Sequence, residues 1–272
     1  MKIILITGAS SGIGRATAEM LLEKPEYRVY ATSHDIENMQ DLAEHGAHIF
    51  KIDVTQTDDI SGGIQSIIDA EGRIDVLINN AGYGVYGSIE DTDIDEARKQ
   101  FDVNVFGLGE MMKMTIPHMR TQGSGHIINI ASIAGKIYLP LGAWYHGSKF
   151  AVEGMSDCAR VELAPFGVKV TMIEPSAIAT KFGSRMIPRL LELTVGTAYA
   201  RQGKRVAELM KGTAKGGGGL PPQKVAETII TAIESSRPRH RYVVGKRGKI
   251  FITFKKIFGT RVFDYFLQKG MK

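Results

Sequence analysis

The chain has 272 residues, which is enough for one large α/β domain whose core needs no disulfide. Its single cysteine, Cys158, excludes an intramolecular disulfide framework and a thiolate metal site, and we expect it to be a small buried residue. We assign no metal site from the sequence. No secretory signal pattern and no apolar run of membrane-spanning length is visible, so we predict a cytoplasmic protein that associates at most peripherally with a membrane.

Apolar runs of strand length recur along the chain, with helical patterns between them. The helical patterns follow Gly12 and Asp35 and then cover residues 58–71, 93–119 and 143–163. This alternation predicts a doubly wound, Rossmann-type parallel sheet of about seven strands with helices on both faces, within a single domain spanning residues 1–272. The seven predicted strands read IILIT, RVYAT, AHIFKI, DVLIN, GHIINIA, VKVTMIEP and RYVVG.

The alternation breaks down over residues 176–222, which contain the four glycines 216–219. A segment inserted after a strand's carboxyl end lies over the ligand crevice of an open α/β sheet. We therefore interpret residues 176–222 as a substrate lid, with an ordinary surface excursion as the alternative. The apolar residues expected to face the substrate are Phe182, Met186, Ile187, Leu190 and Leu191.

The end of the chain is strongly basic. Residues 237–272 carry eleven Lys or Arg and one acid, a net charge of +10 against −5 for the rest of the chain. A packed terminal helix with a solvated basic face is the commoner explanation, while an anionic membrane, nucleic acid or another subunit are possible partners. We recognise no base-reading module and predict no nucleic-acid partner. In the C-terminal extension, residues 248–272, we expect a second apolar wall from Phe251, Phe254, Ile257 and Phe258. For both apolar stripes, in the lid and in the extension, ordinary core packing is the commoner alternative.

The stretch TGASSGIG, from Thr7 to Gly14, joins the first predicted strand to the first helix. Glycines let backbone N–H groups approach a bulky anion, and the helix N-terminus adds a partial positive charge. The motif therefore suits a pyrophosphate, with Gly8 permitting the turn, Gly12 and Gly14 permitting close approach, and Ser10 and Ser11 offering hydroxyl groups. A glycine-rich turn that only caps a helix is the alternative, because short glycine motifs often match by chance.

The stretch YHGSK places Tyr145 and Lys149 four residues apart, on one face of a predicted helix. A phenol is a weak acid–base group at neutral pH, and a nearby ammonium group stabilises the phenolate and lowers its pKa. The pair alone could be accidental.

Five motifs occur in order: TGASSGIG, NNAG, VNVFG, INIASIAG and YHGSK. Together they resemble the short-chain dehydrogenase/reductase family, over residues 3 to about 182. Ser132 lies thirteen residues before Tyr145, as the family's serine does before its tyrosine. The VYAT second strand and the C-terminal extension resemble the 17-beta-hydroxysteroid and retinol dehydrogenases of that family.

The resemblance implies an NAD(P)-dependent oxidoreductase that interconverts a carbonyl and an alcohol. Tyr145 would be the general acid in reduction and the general base in oxidation, and Lys149 would lower its pKa and hold the nicotinamide ribose. Ser132 would hydrogen-bond the substrate oxygen, and Asn104 would hold a water in the proton relay. The cofactor contacts implied are Gly8, Ser10, Ser11, Gly12, Ile13, Gly14, Ser33, His34, Asp53, Val54, Asn80, Ala81, Gly82, Tyr145, Lys149, Pro175, Ile178 and Thr180.

One departure from the family pattern is PSAIAT in place of PGxIxT, which puts Ser176 where a glycine is usual. We expect a change in the local backbone geometry and no loss of catalysis.

The end of the second strand bears on which dinucleotide binds. Alignment places Ser33 where NAD-preferring members carry Asp and His34 where NADP-preferring members often carry Arg. The missing acid removes repulsion of a 2′-phosphate, and Ser33, His34 and Arg15 could donate to it. NADP(H) is therefore favoured, although a register shift of one residue would make Asp35 a signal for NAD(H).

The C-terminal extension and the lid favour a bulky hydrophobic carbonyl or alcohol substrate. The resemblance also implies a homo-oligomer formed through the helices that carry Asn104 and Tyr145, although a bulky C-terminal extension can block one of these surfaces. The alternative function is a catalytically weak dinucleotide-binding redox sensor or scaffold.

Overall fold

A computed structural model describes residues 1–214 and 219–271. Seven parallel strands form one sheet in the order β3-β2-β1-β4-β5-β6-β7, as the predicted fold class requires. Three of the four glycines noted above, 216–218, lie outside the described residues. The strands are β1 (Lys2–Thr7), β2 (Tyr27–Ser33), β3 (His48–Lys51), β4 (Val76–Asn79), β5 (Gly125–Ile130), β6 (Val168–Pro175) and β7 (Arg241–Val244).

Ten helices connect and follow the strands in the described residues. They are α1 (Gly12–Leu22), α2 (Gln40–Glu44), α3 (Thr57–Glu71), α4 (Ile94–Phe101), α5 (Leu108–Gln122), α6 (Ala143–Leu163), α7 (Lys181–Thr194), α8 (Ala200–Ala214), α9 (Pro222–Glu234) and α10 (Lys246–Met271).

Two apolar cores cover the two faces of the sheet. Helices α3, α5 and α6 pack on one face, and α1, α2 and α9 pack on the other. Strands covered on both faces are nearly continuous apolar runs, which explains why IILI and VLI are fully buried. The chain changes direction between β1 and β4, so a crevice forms at the carboxyl ends of these strands.

The helix predicted over residues 93–119 is divided in the structure. A π-helical stretch, Asp102–Gly107, separates α4 from α5 and contains the predicted site residue Asn104. Such stretches are uncommon and often occur at functional sites. Hydrophobic periodicity extends through this region without a break, so the sequence pattern could not indicate the division.

Cys158 was predicted to be buried, and this is wrong. It lies exposed on α6, because Val152, Ala159 and Leu163 form the inward face of that helix and residue 158 points away from it.

Helices α7 and α8 follow the carboxyl end of β6 and pack against each other. Their inward residues join Tyr86 and Leu141 in a third apolar cluster beside the crevice. The last helix, α10, has a kink at Gly259, whose positive φ of 72° is readily adopted by glycine. Among residues 1–214 and 219–271, no helix combines the length and the hydropathy of a membrane span.

Candidate active site

A cavity of about 1910 Å³ opens at the carboxyl ends of the central strands. It brings together Ser132, Tyr145 and Lys149 with nearly all the residues implied as cofactor contacts. Two of the predicted site residues, Gly14 and Asn104, lie behind the cavity wall. Gly14 packs against Asn80, and Asn104 forms hydrogen bonds with Tyr83; Asn80 and Tyr83 both line the cavity.

The glycine motif forms the first turn between β1 and α1. Gly8 and Gly12 have positive φ values of 66° and 60°, which side-chain-bearing residues rarely adopt. A Cβ on Gly8 would lie 2.9 Å from the Ala81 Cα, so only glycine fits there. Gly14 packs α1 closely against the Asn80 side chain. Asn80 Nδ2 in turn donates to the carbonyl oxygens of Thr7 and Gly8, at 2.9 and 3.0 Å.

The N-terminus of α1 faces the cavity and is suited to an anion. The Ser11 side chain makes no capping hydrogen bond, and the first turn contains no acidic residue. Backbone N–H groups of a first helical turn have no intrahelical acceptor. These groups, with the Ser10 and Ser11 hydroxyls in the lining, fit the pyrophosphate of a dinucleotide.

The end of β2 borders the cavity beside the glycine turn. Ser33 Oγ donates to Ser10 Oγ at 3.1 Å, and both Ser33 and His34 line the cavity. The Asp35 carboxylate instead accepts hydrogen bonds from Glu37 N and Asn38 Nδ2, within its own turn.

Arg15 does not match its predicted role as a phosphate donor. Its guanidinium is held by the carboxylates of Glu19 and Asp41 and donates to the Asn38 carbonyl oxygen at 3.1 Å. The hydrogen bond with Asp41, and then that with Glu19, raise the pKa of Arg15, and Arg15 does not line the cavity that contains Ser33 and His34.

Asp53 and Val54 follow β3 and also line the cavity. Asp53 Oδ1 accepts from Thr55 N at 2.9 Å and from Thr55 Oγ1 at 2.8 Å, which fixes the carboxylate in its turn.

The loop after β6 closes the other end of the cavity. Pro175, Ile178 and Thr180 all contribute to its lining. Thr180 Oγ1 caps α7 by accepting from Phe182 N, and its methyl group lies beside Gly12. The loop after β6 therefore meets the glycine turn across the crevice.

Ser176 takes the place of the family's glycine without a left-handed backbone. Its amide donates to the Val244 carbonyl oxygen at 2.9 Å, which continues the pairing of β6 with β7. Two glycines make room for its side chain, because a Cβ on Gly245 or Gly248 would collide with it. The expected local change is therefore a change in packing against the start of α10.

The proposed acid–base group lies on the first turns of α6. Burial raises the pKa of Tyr145 to about 12, and a hydrogen bond with Ser132 opposes this rise. Lys149 Nζ donates to the Ile130 carbonyl oxygen at 2.9 Å. Burial lowers the pKa of Lys149 to about 8, while the charge of Glu153 acts in the opposite direction.

The expected lowering of the Tyr145 pKa by Lys149 is therefore not found. The phenol is protonated at neutral pH at its ordinary pKa, and burial disfavours the phenolate further.

Asn104 connects the π-helical stretch to this group. Its Nδ2 donates to the Tyr83 carbonyl oxygen at 2.8 Å and to Ser148 Oγ at 3.1 Å, and its Oδ1 accepts from Tyr83 N at 3.0 Å. A Cβ on Gly82 would lie 3.0 Å from Asn104 Oδ1 and 3.9 Å from Lys149 Nζ. The absence of a side chain at Gly82 thus leaves a small space between these two polar groups.

One part of the wall is apolar and covers the Tyr145 ring. The rings of Phe182 and Tyr86 lie 5.4 and 5.7 Å from it, centroid to centroid. Met186 from α7 and Phe251 from α10 extend this wall.

The other residues predicted to form the apolar wall do not line this cavity. Ile187 and Leu190 are buried in the cluster beneath α7, and Leu191 packs against that cluster. In α10, Phe254 packs in an aromatic group with Phe258, while Ile257 points outward. Helical spacing identified the apolar faces but could not indicate which part of each face borders the cavity.

Three residues that support the site around Tyr145 were not predicted from the sequence. Leu141 adopts a positive φ of 63°, a strained conformation for a branched side chain, and its carbonyl oxygen accepts from Gly87 N at 2.7 Å. His146 accepts from Leu139 N at 3.1 Å and so holds the loop before Tyr145. The third is Gly84, where a Cβ would lie 3.0 Å from the Tyr145 ring. The two closely spaced glycines of the stretch YGVYG are the sequence feature that could have identified it.

Comparison with known proteins agrees with this geometry. The family model described as short chain dehydrogenase matches residues 2–189. The 3-ketodihydrosphingosine reductase of Bacteroides thetaiotaomicron is 37% identical over 246 residues, covering 90% of this chain and 88% of its own. The chain therefore belongs to the short-chain dehydrogenase/reductase family and is an oxidoreductase.

Two solved structures have the same fold. A short chain dehydrogenase/reductase of Burkholderia phymatum in complex with NAD has a TM-score of 0.80 at 24% identity, covering 94% of this chain and 92% of its own. A short chain dehydrogenase of Burkholderia cenocepacia in complex with NADP has a TM-score of 0.75 at 25% identity, covering 94% and 95%. Both structural matches extend over nearly the whole of this chain.

Proposed function

We propose that the protein is an NADP(H)-preferring reductase of bulky hydrophobic carbonyl compounds, with Tyr145 as the proton donor. The observation that carries this proposal is the position of Tyr145. Its ring shares one cavity with the glycine turn of β1 and the apolar wall that contains Phe182.

The residues of the chain divide the work of the reaction between them. Ser132 hydrogen-bonds the carbonyl oxygen of the substrate, and Tyr145 gives that oxygen a proton. Lys149 holds the ribose next to the nicotinamide. A bound nicotinamide dinucleotide would supply the hydride for this chemistry.

The pKa of Tyr145 favours reduction at neutral pH. With a pKa near 12, the phenol carries its proton and is ready to act as an acid. Alcohol oxidation needs the phenolate, so we expect its rate to rise with pH above neutrality.

A water beside Gly82 completes the proposed proton relay. Asn104 Oδ1 accepts one hydrogen bond from Tyr83 N and can accept a second. The space between this oxygen and Lys149 Nζ suits a water that returns a proton toward Tyr145 through Lys149.

The preference for NADP(H) is supported by the end of β2. Ser33 and His34 line the cavity, whereas the Asp35 carboxylate is held by the backbone and side chain of its own turn. A 2′-phosphate at Ser33 therefore meets a hydroxyl group and an imidazole in place of a carboxylate.

A bulky hydrophobic substrate is supported by the aromatic and apolar residues around Tyr145. We propose that α7 and α8, in the segment 176–222, act as the lid over this substrate. The similar protein from Bacteroides is named for the reduction of 3-ketodihydrosphingosine, which supports a ketone as the substrate class.

We also propose that the protein forms a homo-oligomer through α4, α5 and α6. Phe106, Phe150 and Val161 are large apolar residues exposed on or between these helices, which is typical of a surface between subunits. A cytoplasmic location stays a prediction.

The test is a panel of ketones and aldehydes assayed with NADPH and with NADH. The panel contains 3-ketodihydrosphingosine, steroid ketones, retinal and short aliphatic ketones. We expect NADPH oxidation that depends on the substrate and is faster with the bulky apolar compounds. Tight dinucleotide binding with no turnover of any compound would contradict the proposal and favour the redox sensor or scaffold.

A further inference from the structure

The outward surface of α10 has a composition unlike that of an ordinary solvated helix. Its basic residues are accompanied by a group of large apolar side chains that are at least half exposed. These are Ile250, Phe251, Ile257, Phe258, Tyr265 and Phe266.

The opposite side of α10 anchors the helix to the body of the protein. Phe263 is buried with its ring 5.3 Å from that of Tyr138, whose hydroxyl donates to Asp264 Oδ1 at 2.6 Å. Lys255 Nζ donates to the Lys136 carbonyl oxygen at 2.7 Å and lies over the Tyr138 ring. These contacts hold α10 in place without the outward aromatic residues.

The outward apolar residues form one continuous surface across the kink. The Phe254 ring lies 4.8 Å from that of Phe258 and 5.3 Å from that of Phe266, and so joins the two arms of α10. Ile257 lies on the same turn as Phe258 and is among the most exposed apolar side chains described. Exposed apolar surface of this kind marks an interaction site.

The charges near this surface indicate its partner. Lys246, Arg247, Lys249, Lys256, Arg261 and Lys269 are exposed, and the single acid of α10, Asp264, is bound to Tyr138. A protein partner would need a matching acidic surface with an apolar centre. An anionic bilayer offers both properties together, because apolar side chains enter the acyl boundary while cations remain among the headgroups.

We propose that α10 binds the surface of an anionic membrane, with its exposed Phe and Ile side chains inserted and its exposed cations at the headgroups. Phe251 also lines the catalytic cavity, so the bound helix would place the cavity mouth beside the lipid. The membrane contact itself does not depend on the identity of the substrate or on catalysis.

The experiment is co-sedimentation of the full chain with vesicles of phosphatidylcholine alone or mixed with phosphatidylserine. Two double variants are compared with the wild type: I257S with F258S, and K256E with R261E. Matched controls are Ile89→Ser and Lys51→Glu, which change an exposed apolar residue and an exposed cation away from α10. Sedimentation velocity measures the oligomeric state, and urea unfolding verifies that each variant is folded.

We expect the wild type and the two controls to bind the vesicles with phosphatidylserine better than phosphatidylcholine alone. Both double variants should weaken that binding by roughly tenfold or more while they remain folded. The proposal is overturned if the wild type binds neither vesicle, or if the double variants bind as well as the wild type. Loss of the oligomer in I257S/F258S, without vesicle binding by the wild type, would assign the surface to a second copy of the chain.

Discussion

Glu174 is a buried carboxyl group whose charge costs stability above neutral pH. It lies on β6 beside Glu153, and Lys136 and Arg241 provide the cations nearest to the pair. Burial, and then repulsion by Glu153, raise the pKa of Glu174 from 4.5 to about 7. The folded protein therefore keeps this proton in a pH range where the unfolded chain has lost it.

The stabilisation associated with this proton is complete below about pH 4.5 and is lost as the pH rises through 7. A pKa difference of this size corresponds to about 3 kcal/mol in the free energy of unfolding. Glu174→Gln replaces the acid with a neutral group of the same shape. We expect the variant to match the wild type near pH 4 and to exceed its stability by up to about 3 kcal/mol at pH 8.

Urea unfolding of both proteins between pH 4 and pH 8 measures this difference. Glu227→Gln is the matched control, because Glu227 is a solvent-exposed acid paired with Lys224 on α9. Equal stabilities of Glu174→Gln and the wild type at pH 8, or a variant destabilised there, would refute the account of this buried pair.

Three further predictions concern the cavity. Ser33→Asp should reverse a preference for NADPH over NADH in a fluorescence titration; tighter NADH binding by the wild type would instead point to Asp35 as the ribose ligand. Lys149→Met should lower both kcat and dinucleotide affinity, so an unchanged dissociation constant would contradict its contact with the ribose. Phe182→Ala should raise KM for bulky ketones by about tenfold. A similar rise in the control Phe166→Ala, in an exposed turn after α6, would remove the role of the cavity wall.

The sequence predicted the sheet and the location of the site because both depend on local patterns. Continuous apolar runs identify strands buried on both faces, and the order of strands and helices restricts the sheet to few topologies. Gly8 and Gly12 could be assigned to the turn because the turn needs positive φ values, which glycine readily adopts.

Features that depend on contacts between distant segments could not be predicted. Ser176 fits because Gly245 and Gly248 lie against it, some seventy residues later in the chain. Leu141 has a left-handed conformation because the loop that contains it is held by Gly87, and no residue type signals this. Arg15 was predicted to be a phosphate ligand, but in the structure its guanidinium is paired with the carboxylate of Asp41.

The proton donated by Tyr145 is the centre of the proposed mechanism, and Tyr145→Phe tests it most directly. The substitution removes the hydroxyl group and keeps the ring that packs against Phe182 and Tyr86. The measurement is hydride transfer from NADPH in a single turnover with the best ketone of the panel, together with a titration of NADPH binding. We predict that the rate falls by about 10²-fold or more, while the affinity for NADPH is nearly unchanged. A Tyr145→Phe variant that transfers hydride at the wild-type rate would contradict the account.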